Sequence, residues 1–264
     1  MAEHITTTDA TTSPAQPQIR TLSLSDLRAA LAAGWRDFKA EPSHPVFLSL
    51  VYILICFLMV AYISGRTLWP YLYPLAGGFA FVGPVAAIGL YELSRRRETR
   101  DDVRLREAFS VFHAKGLWAI IVLGLLLGGV FILWLAAARE ILSLTLGESV
   151  DTQTLSGFLS QVLTTSEGWS LIIIGNAVGA VFAVVVLAVS AVSFPYLLDR
   201  GGSPLSAVAT SLRVCLKNPK VMAVWGLVVA AAMVASFVTL GVGLAVMFPL
   251  LGHATWHLYR RAIV

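Results

Sequence analysis

His253 and His257 are the residues whose type and spacing come nearest to chemistry. They stand four apart, so a helix would carry both imidazoles on one side, as haem and metal sites do. The spacing alone is weak. A closed metal site takes about four ligands, and the other histidines, His4, His44 and His113, fall outside the long apolar stretches. The simpler account makes the pair interfacial, with His257 at headgroup level and His253 hydrogen-bonded inside a bundle. Two more polar side chains lie in apolar surroundings, where polar groups tend to mark function. Glu92 sits one turn from an arginine cluster, and Asn176 sits near the outer part of its apolar stretch. The Gly77–Gly78 pair and the Gly124, Gly128 and Gly129 run are no phosphate loops, for no lysine follows them. No serine sits in a nucleophile elbow. No catalytic, cofactor-binding or metal-ligating set is read from these residues, and no cofactor is expected.

The elements that must carry these side chains are apolar and long. The chain of 264 residues is 57% hydrophobic and 13% charged, against roughly 25% charged in a soluble domain. Stretches of about 20 apolar residues match the bilayer core. Six spans are expected, at 46–64, 73–93, 117–138, 170–194, 221–240 and 242–259, the last two separated by a turn near Leu240–Gly243. The charges then sort. Of the 19 basic residues all but Arg66 and Arg139 fall before the first span, in the second and fourth loops, or after the last span. By the positive-inside rule both termini are cytoplasmic. This asymmetry accounts for the net charge of +4, and nucleic acid is not an expected partner. Residues 1–19, rich in Thr, Ser, Ala and Pro, are expected to be a disordered tail without a cleavable signal, and 20–264 a single membrane domain. Cys56 and Cys215 are read as small apolar residues, not as a disulfide.

Three basic-side segments, 24–39, 101–113 and 204–217, show apolar residues at helical spacing and end in breakers: Pro42 and Pro45, Gly116, and Asn218–Pro219. Each predicts an amphipathic helix on the inner membrane surface, open to anionic lipid. Ser203 is the expected N-cap of the third, with Pro204 at its first position. Surface helix, span out and span back thus recur three times. The returning spans carry Pro84, Pro195 and Pro249 as expected kink sites. Pro84–Arg96 overlays Pro249–Arg261 without a gap, which sets Tyr91 on Trp256 and Glu92 on His257 and suggests a Glu92–His257 pair. The second half of 139–168 predicts a further amphipathic helix on the outer side.

The fold class is therefore all-α, a polytopic membrane protein of three hairpins with both ends inside. The stretches Gly78–Glu98, Phe194–Arg200 and Leu251–Arg260 resemble the predicted integral membrane proteins called domain of unknown function 2189, over about residues 25–262. The resemblance implies a bacterial cytoplasmic (inner) membrane. Some relatives are labelled cytochrome c oxidase subunit I, but such a subunit needs more haem- and copper-ligating histidines within its spans than this chain offers. The expected function is non-catalytic: a scaffold, assembly or envelope-associated protein. A small transporter or channel, and a redox protein using His253 and His257, are the alternatives.

Overall fold

The computed structural model describes residues 17–40, 69–147, 154–239 and 242–264. The expected span 46–64, most of the expected tail, His4, His44, Cys56, the Pro42–Pro45 breaker, Arg66 and part of the third loop lie outside the described residues. Among the described residues the chain is helical, with one isolated antiparallel bridge, Ile19 to Ile263.

Helix α1 (Leu24–Ala40) opens with a reciprocal cap. The Ser23 N–H donates to the Asp26 carboxylate at 2.9 Å, and the Asp26 N–H donates to Ser23 Oγ at 3.2 Å. The 3₁₀ turn Trp69–Tyr71 leads into α2 (Leu72–Ala86) and α3 (Ile88–Arg97), which are separated at Ala87. The expected span 73–93 is thus two helices. The segment expected to be a second amphipathic α-helix is instead a 3₁₀ helix, Leu105–His113. Apolar residues three apart fit both helix types, and Arg104 with Glu107 closes its first turn.

Helix α4 (Leu117–Thr145) starts at the Gly116 breaker and outruns its expected end. Helix α5 (Leu155–Thr164) forms where a further amphipathic helix is expected, and α6 (Ser166–Ser190) follows it. Thr154 and Thr165 cap these two, each accepting a backbone N–H three residues on at 3.0 Å. The returning helix breaks before Pro195, and α7 (Ser193–Arg200) resumes it. Proline has no N–H for the Ala191 carbonyl. At the break the Val192 N–H leaves the helical ladder for Ser211 Oγ, 3.3 Å away. Helix α8 (Pro204–Lys217) is capped by Ser203, whose Oγ accepts from Ser206 N at 3.1 Å. Asn218 ends α8 and starts α9 (Pro219–Val238), and α10 (Leu244–Ala262) closes the described chain with Pro249 inside it. The apolar run 221–259 is therefore two helices.

Among the described residues three helical stretches are long and apolar enough to cross a membrane: Leu117–Thr145, Ser166–Arg200 and Pro219–Val238. Only 28%, 6% and 22% of their most apolar windows are buried. Leu125, Ile132, Ile173, Val184, Leu227 and Val238 all face outward. Water would not tolerate that much bare aliphatic surface, whereas lipid is its natural solvent. The buried core lies toward one end, where α3, α7 and the second half of α10 meet. Ile19 pairs with Ile263 there, so the two ends of the described chain lie side by side. At the other end the Trp69–Tyr71 turn packs on α5, and Trp134 Nε1 donates to the Pro74 carbonyl at 2.8 Å.

Candidate functional site

The core end is built on α10, and its polar residues are spent almost entirely on holding other helices. Gly252, His253, Ala254, Trp256, Leu258 and Tyr259 are all buried. α1 lies along this helix at backbone contact: a Cβ added at Gly34 would come 2.6 Å from Ala254 N. Ala30, Ala33 and Gly34 form the small-residue face that permits this, and Asp37 follows one turn later.

Asp37 is the centre of the polar network. His257 Nε2 donates to its Oδ2 at 2.8 Å, and Ser94 Oγ donates to the same oxygen at 2.5 Å. An Arg97 guanidinium N–H donates to the Asp37 carbonyl. Ser94 has one hydroxyl proton, already given to Asp37. Its oxygen, 2.8 Å from His253 Nδ1, therefore accepts from an Nδ1–H imidazole. His253 Nε2, fully buried, has no hydrogen-bond partner among the described residues. Burial alone would push the Asp37 carboxyl up, but the bonds from His257 and Ser94 outweigh it and hold that carboxyl below its ordinary range.

The other acids divide the arginines between helices. Glu92, 2% exposed, accepts from Arg95 and Arg96 and from Ser110 of the 3₁₀ helix. Arg96 continues to Glu107 at 2.8 Å, and Arg100 pairs with the same carboxylate. Glu98 accepts from Trp256 Nε1 at 2.8 Å and from Arg260 Nε at 3.1 Å. Asp199 accepts from the Tyr259 hydroxyl at 2.5 Å, and Arg260 lies 3.5 Å away. Arg261 reaches Asp26 on α1 at 3.5 Å. A strap before α1 completes the joint: Leu22 N donates to Asn218 Oδ1 at 2.6 Å, and Asn218 Nδ2 donates to the Arg20 carbonyl at 3.1 Å.

The expected residues thus have definite places. His253, His257 and Glu92 are brought to one end, joined through Ser94 and its neighbours on α3. The Glu92–His257 pair is not formed, because His257 takes Asp37 and Glu92 takes the arginines beside it. The overlay of the two returning segments therefore does not extend to their contacts. Asn176 stands apart on α6, where it accepts from the Tyr73 hydroxyl at 2.7 Å and returns a bond to the Ile172 carbonyl at 2.8 Å. Pro84 lies three residues before the break at Ala87, Pro195 just after the break at Val192, and Pro249 within unbroken α10.

Sequence reasoning missed Asp37, Ser94, Glu98, Asp199 and Asn218. Asp37 carried a signal, since with Asp26 it lies on the small-residue face of α1. Asp199 and Glu98 carried only their position beside the arginines. Among the described residues no three His, Cys, Asp or Glu side chains are placed to share a metal ion. What the arrangement does chemically is satisfy charge and hydrogen-bond demand between α1, α3, α7 and α10.

Residues 72–199 match the model of a family described as predicted integral membrane proteins, DUF2189. Over this stretch the chain is similar to that family. The matched segment holds Glu92, Ser94, Glu98 and Asp199, while α1 and α10, which close the network, lie outside it. No curated protein and no solved structure matches the chain.

Proposed function

We propose that this DUF2189-like chain is a non-catalytic, multi-pass membrane protein of scaffold or assembly type. It has six spans, both termini on the cytoplasmic side, and a bacterial inner membrane as its home. The observation that carries this is the use of α10's polar residues. His257, Trp256, Tyr259, Arg260 and Arg261 each bond a carboxylate on another segment of the chain, and His253 bonds Ser94. A closed metal site takes about four ligands. Here His257 is committed to Asp37, His253 is held through Nδ1 by Ser94, and among the described residues no further His, Cys, Asp or Glu joins the free Nε2 of His253 to complete a set. The pairing of Ile19 with Ile263 supports an even number of crossings, since the chain would enter and leave on one side. The basic residues gathered at that same end support its being cytoplasmic and in reach of anionic headgroups.

Purification of the full chain in detergent tests the central claim. The expected result is a colourless protein whose metal content does not change in His253→Ala. A Soret band, or a stoichiometric metal lost in that variant, would overturn it. Reporter fusions after residues 104, 153 and 264 test the crossings, with the first and third expected inside and the second exported.

A further inference from the structure

We infer that α8 is an in-plane lipid anchor, its leucine stripe bedded in the cytoplasmic leaflet of the bilayer the chain spans and Lys220 set among acidic headgroups. The inference rests on the membrane reading above and deepens it, because α1 and α8, both expected to be surface helices, behave differently. α1 turns its apolar face to protein. Leu27, Ala30 and Phe38 are buried in the fold, and Arg28, Arg36 and Lys39 face outward. α8 is inverted. Its inward face is small or hydroxylated, with Ala207, Thr210, Ser211 and Val214 buried. Its outward face presents Leu205 at 78%, Leu212 at 39% and Leu216 at 79% exposure, spaced seven and four apart on one side of the helix. No carboxylate occurs between Pro204 and Lys217.

The helix is tied at both ends to the starts of membrane-crossing helices. Just before it, the Gly201 backbone lies against Lys115 and Gly116, where α4 begins. At its far end, Asn218 is also the residue on which α9 begins. α4 and α9 are two of the three stretches able to cross a membrane. Fourteen residues span about 21 Å, so α8 runs from the mouth of one crossing helix to the mouth of another, in the plane of the interface. A helix held there with leucines outward meets acyl chains, and Leu227, in α9 just beyond it, is exposed as well. Lys220, exposed in the first turn of α9, supplies the charge.

Spin labels on the full chain in phosphatidylcholine vesicles, with and without phosphatidylglycerol, test this. Leu216→Cys, Leu227→Cys and Ala32→Cys are made in a Cys56→Ser, Cys215→Ser background. Collision with oxygen is compared with collision with a water-soluble nickel chelate. The expected result is a several-fold lower chelate collision rate at 216 and 227 than at 32. Protection at 216 should deepen with phosphatidylglycerol, and Lys220→Gln should abolish that deepening. If 216 is as chelate-accessible as 32 while 227 stays protected, the anchor is refuted and the membrane reading stands. If 227 is also accessible, the membrane reading falls first. Protection at 216 that vanishes on dilution of protein in lipid would mean that a second copy covers the stripe, and would overturn the inference. Protection indifferent to phosphatidylglycerol would overturn its acidic-headgroup part.

Discussion

Gly34→Ala should unlatch α1 from α10. A Cβ at position 34 falls 2.6 Å from Ala254 N and 2.9 Å from its Cα and Cβ, all atoms of a backbone or its first carbon, which cannot swing aside. Ordinary contact begins near 3.4 Å, so the two helices must part by about 0.8 Å. The bond from His257 to Asp37, 2.8 Å long, then stretches out of hydrogen-bond range. Overpacking costs about 1–3 kcal/mol, and losing a bond to a charged group about 1.5–3 kcal/mol. Alanine's better helix propensity returns about 1 kcal/mol. The net is a loss of about 3 kcal/mol, or roughly 6–12 °C in Tm. Thermal unfolding in detergent reads it, with Ala32→Gly on the exposed face of the same helix as the propensity control. The latch also predicts non-additivity, so that in an Asp37→Asn background Gly34→Ala should cost less than it does alone. A Gly34→Ala protein as stable as the parent would refute the close contact from which all of this follows.

Three further predictions test the network from other sides. Glu92→Gln should lower thermal stability by about 2–4 kcal/mol in the same assay, because Arg95, Arg96 and Ser110 all bond its buried carboxylate. Asp37 should make stability fall in acid. Its folded carboxyl titrates below the ordinary 3.8, so its contribution is whole above that value and is lost as pH drops through the lower folded one. Asp37→Asn should therefore flatten the curve of Tm against pH between about 5 and 2. Burial pushes the Cys215 thiol up to about 11, so in a Cys56→Ser background maleimide should modify the native protein at pH 7 far more slowly than the denatured one.

The membrane character was legible because it depends on composition along the chain, and the helix ends at Gly116, Ser203–Pro204 and Asn218–Pro219 were legible because capping is local. The 3₁₀ form of 105–113 was not, since Leu105, Ala108 and Val111 repeat at three while Leu105, Ala108, Phe109 and Phe112 repeat at the α-helical spacing. The network was the least legible part. Asp37 and His257 are 220 residues apart, and Trp256 and Glu98 158. Nothing in the local pattern of either partner names the other. Glu92 looked like a mate for His257 because both stand at the same step of the overlaid segments, yet each is claimed by a closer group. Arg95 and Arg96, three and four residues on, reach Glu92 first.

The seating of α1 on α10 also has a consequence during synthesis. α1 ends at Ala40 and its dock begins at Leu244. At 5–20 residues per second the ribosome needs roughly 10–40 s to make the stretch between them. Throughout that interval Ala30, Ala33 and Gly34 face no native mate, and Asp37 gains Ser94 and Arg97 but lacks His257. A nascent chain that stalls before its last helix displays them still, which gives folding factors and proteases a visible mark of an unfinished molecule.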